Sequence, residues 1–304
     1  MKNQKLTRVF SILTALFVIN MLAVPASVSA AQAKVNLGST STFAVMAGTT
    51  ITNTGTTVIN GDAGGDVGLY PGSDFTGQAS ATISGTVHIN DTAAITATTD
   101  LVTAYDDAAG RTPATTIPSE LGGTTLTPGV YKSTAGTFQI TGTLTLDANG
   151  DPDPVFIFQM ASTLITAASS NVSLVNGAVY CRVFWQVGSS ATLGTNSHFV
   201  GHIFALTSIA AQTGATVQGQ LLARNGAVTL DSNTITNGFC AAAATPTGTA
   251  TPTGTATPTG TELIKTGESG NNMIFGLIVL GLAGTTVLTL LRKRTGKVDD
   301  SQLK

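Results

Sequence analysis

The chain has 304 residues, of which 10% are charged, and a formal net charge of −2. Between Asn36 and Cys240 the basic residues are Arg111, Lys132, Arg182 and Arg224, set against a dozen Asp and Glu. Phosphate binding needs clustered positive charge, so this balance excludes nucleic acid as a partner.

The first thirty residues carry a basic start (Lys2, Lys5, Arg8), an apolar run and the small-residue stop SVSA. That grammar predicts a secretory signal peptide over 1–30 and a working place outside the cytoplasm. Residues 31–241 then form the globular region. STFAVMAGTTITNTGTTVING reads as its first strands, and the Gly-rich stretch from Gly61 to Ile89 as a loop-rich cap over one end of a stack. Next, Ile95, Thr98, Leu101, Val102, Tyr105 and Ala109 recur at helical spacing, which predicts one amphipathic helix over about 91–109. Asp91 or Thr92 supplies the N-cap, and Gly110 with Pro113 the stop. The apolar stripe is a packing surface rather than a cofactor box.

From Val155 onward the chain repeats. VFIFQMASTLITAASSNVSL, VFWQVGSSATLGTNSHFVG, IFALTSIAAQTGATVQG and LLARNGAVTLDSNTITNG begin at Val155, Val183, Ile203 and Leu221, spaced 28, 20 and 18 residues apart. Each holds three short strands, with Leu164, Leu193 and Leu230 at equivalent inward positions. Such a unit cannot bury its apolar face alone, so the pattern predicts a mainly β fold, a β-solenoid of triangular section with the helix packed along one face. Gly188, Gly194, Gly214, Gly219 and Gly226 are expected at corners that need positive φ.

Chemistry-bearing clusters are scarce. Asp147, Asp151 and Asp153 lie in DANGDPDP, and Asp62 and Asp66 in GDAGGD, both of which read as turns. His198 and His202 sit four apart on a strand, which is not the helical zinc spacing, so with His88 they are read as solvent-facing or turn residues. The composition implies neither metal nor cofactor, and no catalytic residue. Cys181 and Cys240 are the only cysteines; in an oxidising compartment they form either one disulfide or two buried thiols. What remains is an ordered display of hydroxyls, with Thr163, Thr192, Thr195, Thr213, Thr216, Thr229 and Thr234 outward on a lattice with ~4.8 Å strand spacing. A rigid, nearly charge-free lattice suits another ordered surface.

Long motifs in order carry a family resemblance. LTPGVYK, GTLTLDANGDPDPVFIFQ, VFWQVGSSATLGT and LLARNGAVTLDSNTI, with the opening VNLGSTSTFAVMAGTTITNTG, resemble the microbial ice-binding protein family over about Val35 to Ile235. The resemblance implies a right-handed, discontinuous β-solenoid with a long flanking helix. It also implies non-covalent adsorption to ice through one Thr/Ser/Ala-rich face by a monomer. Some members carry a Thr-Ala/Gly-x-Thr/Asn pattern there. Thr213 to Thr216 and Thr54 to Thr57 match it, while the stretches opening at Thr166 and Thr195 match in part. The candidate ice-binding residues are therefore Thr54, Thr57, Thr166, Thr192, Thr195, Thr213, Thr216 and Thr234.

The C-terminal quarter predicts a tether. Residues 242–262 hold a Thr/Pro/Gly repeat that reads as an extended spacer. In 263–304 follow LIKTG, the apolar run 273–291 and a basic tail. LIKTG resembles the LPxTG sorting signal through Leu263, Thr266 and Gly267, with Ile264 where that signal has proline. A sortase that joins Thr266 to the wall and a retained membrane anchor both follow from this region, since nineteen residues at ~1.5 Å each span the ~30 Å bilayer core. Either route places the domain at the cell surface. The competing function is a surface adhesin or structural module that binds glycan or a partner through the same face. A glycan site calls for exposed aromatics, and Trp185 lies in the apolar strand VFWQV.

Overall fold

A computed structural model describes residues 32–240. The signal peptide, repeat linker, sorting-like motif and apolar run lie outside the described residues.

Every strand pairing is parallel, and the chain winds through three faces. Phe156 pairs with Val183, 27 positions on, whereas Phe184 pairs with His202 and His202 with Gln220, each 18 positions on. The repeat therefore steps 27, 18 and 18, because Val183 aligns with Phe156 rather than Val155 and Ile203 aligns with Trp185 rather than Val183. Two faces belong to one fifteen-stranded sheet, since the long strands His198–Ala205 and Thr216–Ala223 turn a corner at Gly201 and Gly219. Their φ values of 110° and 145° are open to glycine alone. The third face is a separate seven-stranded sheet.

The stack is discontinuous in sequence. Along the seven-stranded sheet the order is Phe138–Ile140, Leu164–Thr166, Ala191–Leu193, Ile209–Ala211, Val228–Asp231, Thr50–Thr54 and Asp74–Thr76. The chain thus builds two coils at one end, crosses to the other end, and winds back until its last coil meets its first. The stretch from Gly61 to Ile89 contributes strands Asp66–Leu69, Asp74–Thr76, Thr82–Ile83 and Val87–Ile89, so it is a wound coil rather than a loop-rich cap.

The crossing is made by α1, Thr92–Gly110, close to the predicted bounds. Nineteen residues give a helix of about 28 Å, which matches six strand spacings of ~4.8 Å and explains how one helix spans the stack. Asp91 caps it, its carboxylate accepting from Ala94 N at 2.9 Å. That bond, with His88 beside it, holds the Asp91 carboxyl below the usual range. The buried stripe is Ala94, Ala97, Leu101, Ala104, Tyr105 and Ala108. Leu101 and Tyr105 face inward as expected, but Ile95 is 41% exposed and Ala109 is exposed. Small alanines let the helix lie close against Ile157, Phe184, Phe204 and Leu222, and the larger apolar residues chosen from the sequence fall just beside the contact line.

The interior is a second apolar cluster. Trp185 is fully buried there, stacked on Phe158 at 3.9 Å between ring centroids, and its indole N–H donates to Val200 O at 3.0 Å. Cys181 and Cys240 are bridged, with Cα atoms 5.6 Å apart. His202 departs from expectation: it is buried at 2% exposure, because the turn at Gly201 sends it to a different face from His198.

Candidate functional site

Of the three faces, one is covered by α1 and by the segment around Val35 and Leu37. The face carrying Val58–Asn60, Asn171–Val175 and Thr234–Thr236 is broken, since pairing between Asn171–Val175 and His198–Ala205 stops after Asn171 opposite His198. A depression of about 420 Å³ opens there, lined by His198, Val200, Thr216, Gln218 and Thr234 among others. The seven-stranded face is the regular one.

Its outward ranks follow from the register. The middle rank reads Gln139, Ile165, Thr192, Ala210, Thr229, Thr52 and Thr76, one residue per strand. The rank two residues before it includes Thr163, Ser190, Ser208, Ala227, Thr50 and Asp74. Apart from Gln139 and Asp74 in the two outermost strands, these positions hold methyls and hydroxyls, and none holds a cation. Behind them Phe138, Leu164, Leu193, Ile209, Leu230 and Ile51 are buried, so the backbone beneath the face is set by close-packed core.

The eight threonines chosen from the sequence divide among different places. Thr192 lies on the seven-stranded face. Thr54 ends its strand on the same face, opposite Asp231; with Thr195 and Thr213 it stands at the corner, each just before a residue with left-handed backbone: Gly55 (φ 69°), Asn196 (54°) and Gly214 (71°). Ser169 and Ser232 continue that column, and the coils are tied there by Ser169 N to Thr195 O, Asn196 N to Thr213 O, Gly214 N to Asp231 O and Ser232 N to Thr54 O. Thr216 and Thr234 lie past the corner, on the broken face, paired with each other. The Thr-Gly-x-Thr pattern is thus a corner motif that spans two faces.

Two candidates are internal. Thr166 is 4% exposed and aligns with the inward Leu193, and its Oγ1 accepts from Gly194 N at 2.8 Å. In TAAS the left-handed residue is the fourth rather than the second, so the motif there is out of frame. Thr57 is fully buried and its Oγ1 accepts from Asn233 N at 3.1 Å. This corner carries one residue more between Gly55 and Val58 than the next coil carries between Ser232 and Thr234, and the extra residue turns Thr57 inward. The same frame applies to the corner glycines. Gly214 and Gly219 adopt positive φ, but Gly188, Gly194 and Gly226 are required because a Cβ would collide with the coil below, at Ala161, Ala167 and Thr207 respectively.

The face residues missed from the sequence are Thr50, Thr52 and Thr76, on strands of the N-terminal coils. Their alternation was legible, but the register that brings them beside Thr229 is not local.

Elsewhere DANGDPDP behaves as a turn, whereas Asp66 of GDAGGD opens the strand Asp66–Leu69 and accepts from Thr86 N at 2.8 Å. Asp147 Oδ1 accepts from Asn149 N at 2.7 Å and Asn176 Nδ2 at 2.9 Å, and Asp151 accepts from Asp153 N at 2.9 Å. Among the described residues no group of three His, Cys, Asp or Glu is placed to hold a metal ion.

A family described as ice-binding-like matches residues 45–236. An ice-binding protein of Nostoc sp. (strain HG1) is 47% identical over 203 residues, covering 66% of this chain and 73% of the relative. One from Flavobacterium frigoris (strain PS1) is 36% identical over 220 residues, 66% of this chain and 76% of the relative. Among solved structures, an ice-binding protein from an Antarctic biological consortium superposes with a TM-score of 0.66 at 46% identity, covering 68% of this chain and 93% of that one. An ice-binding protein from the Antarctic ascomycete Antarctomyces psychrotrophicus gives 0.63 at 45% identity, covering 67% and 98%.

Proposed function

The chain belongs to the ice-binding-like family, and from that premise we propose that it adsorbs to ice through its seven-stranded face. The observation that carries the choice of face is the unbroken register of that sheet. Seven parallel strands present one outward residue each in the middle rank, from Gln139 at one end to Thr76 at the other. Strand stacking fixes the repeat along this rank at ~4.8 Å, and pleating fixes the spacing between ranks along each strand. Methyl groups on such a grid leave first-shell water few orientations, and the hydroxyls between them pin that water to fixed points. A patch of water held in this way can join a growing crystal without reordering. The bound protein then obstructs further growth where it sits.

The function is binding, with no reaction step, acting as a monomer. A sugar-stacking site finds no support on this face, because Trp185 is core and the middle rank carries no aromatic side chain. We further propose that residues 242–304 tether the domain at the cell surface, by wall attachment at Thr266 or by retention of 273–291 in the membrane. The protein then acts as an ice adhesin or as a protector of its immediate surroundings.

The test is ice shaping and recrystallisation with purified protein. Faceted crystals and arrested coarsening at micromolar concentration support the reading. Unshaped crystals from well-folded protein would retire it and direct the search to glycan arrays.

A further inference from the structure

The bridge between Cys181 and Cys240 lies at an informative place in the section. Reading round one coil, Val183–Val187 forms the helix-covered face, Ala191–Leu193 the ice face, and the start of His198–Ala205 the broken face. Cys181 precedes Val183 and so stands at the vertex opposite the ice face. Cys240 is bonded to it, and Tyr180 OH donates to Phe239 O at 3.1 Å beside the bridge. Cys240, the last described residue, therefore lies on the side turned away from the proposed ice face.

Two routes carry tension inward from Cys240. Along the backbone it reaches Thr234–Thr236, a three-residue strand held between Thr216–Gln218 and Val58–Asn60. A pull along this strand is resisted by two ladders of only three residues each. Continued, it draws out Val228–Asp231, the strand that joins Ile209–Ala211 to Thr50–Thr54 and holds the two halves of the ice face together. Through the bridge, tension reaches Val183–Val187. That strand runs from the far vertex toward the ice face and is paired over its length with Phe156–Met160 on one side and over four residues with His202–Ala205 on the other. A pull along it loads both ladders together, and stacked Trp185 and Phe158 lie beneath.

We propose that the Cys181–Cys240 bridge is a load-transfer clasp, which sends tension from the C-terminal tether into the central strand Val183–Val187 and keeps the last coil from being peeled out of the ice face. The clasp rests on the tethered reading above and deepens it. A free antifreeze domain meets no such load, whereas a cell held on ice does.

Force spectroscopy on the full chain in detergent tests it. One handle is placed at Lys304 and the other on a clickable residue at position 210 in the ice face. With the bridge intact, the trace is expected to show a single main rupture and no early lengthening. In Cys240→Ser, or in folded protein treated with a thiol reductant, an early step on the order of 60 Å is expected as about twenty residues peel, at about half the force or less. The control pulls between positions 95 and 210, where the force is expected to change little. Unchanged traces without the bridge, or an equal loss of force in both directions, would overturn the clasp and leave the bridge a general stabiliser. Fractionation of cells into wall, membrane and medium reads the tether separately, so its failure is distinct from failure of the clasp.

Discussion

Thr229 and Thr52, 177 positions apart in the chain, lie directly opposite one another on adjacent parallel strands of the seven-stranded face. Thr229 belongs to the last coil wound and Thr52 to the first. The middle of the face is thus a seam between the two ends of the domain, and its integrity requires both.

Replacing Thr52 and Thr229 with Tyr should abolish ice shaping while leaving the melting temperature within a few degrees. Both side chains point outward, so bulk there disturbs the surface and not the core. Thr216→Tyr with Thr234→Tyr, on the broken face, should retain most activity. Thermal hysteresis of the two double variants decides the matter, and the reverse pattern would move the site to the broken face.

Much of the architecture was legible because it is local. Alternation over ATL or VTL reports which residues face inward, and Asp91 followed by small and apolar residues reports a helix start. The register was less so. Coil spacings of 28, 20 and 18 were inferred from apolar runs where pairing gives 27, 18 and 18, since an apolar residue can sit on either side of the sheet when α1 covers one face. Phe184 and Trp185 are both buried, one beneath the helix and one in the interior. The site was the least legible part. Thr is equally at home on an outward strand, at a corner and, as Thr57 and Thr166 show, inside with its hydroxyl bonded to backbone.

The internal threonines give a prediction of opposite sign. Thr166→Val keeps the shape but removes the acceptor for Gly194 N, leaving a buried donor without a partner. The expected cost is ~1–2 kcal/mol of stability, with ice activity per folded molecule unchanged. Chemical denaturation and recrystallisation assays on the same preparation separate the two. Lost activity with intact stability would restore Thr166 to the surface set.

The bridge closes a loop with its ends 59 positions apart. Chain-entropy arguments give about 4 kcal/mol for a loop of that size, with measured values often nearer ~2–4. Cys181→Ser should therefore lower the urea midpoint clearly. An unchanged midpoint would mean that the contacts of Asn237 with Ser41, Asn60 and Gly64 hold the last coil without help.

His202 supplies the pH dependence. It lines a cavity of about 170 Å³ with Lys34, Cys181 and Cys240, and neither ring nitrogen has a hydrogen-bond partner among the described residues. Burial, and next the Lys34 ammonium, lower its pKa from 6.5 to about 4. The native imidazole stays neutral where the unfolded one takes up a proton, so the unfolded state binds more protons between those two values. The stabilising contribution is fully present above pH 6.5, is lost as pH falls toward 4, and amounts to about 3 kcal/mol. Asp91 and Asp100 do not obscure this window, because hydrogen bonds from Ala94 and from Ser39 lower both carboxyl pKa values and push their own losses below it. Urea unfolding at pH 7 and at pH 4 should show the drop in the native chain. His202→Phe, which can stack on Phe184 as the imidazole does at 5.3 Å between centroids, should remove most of it. An equal drop in both proteins would assign the pH dependence to other groups and make His202 a neutral packing residue throughout.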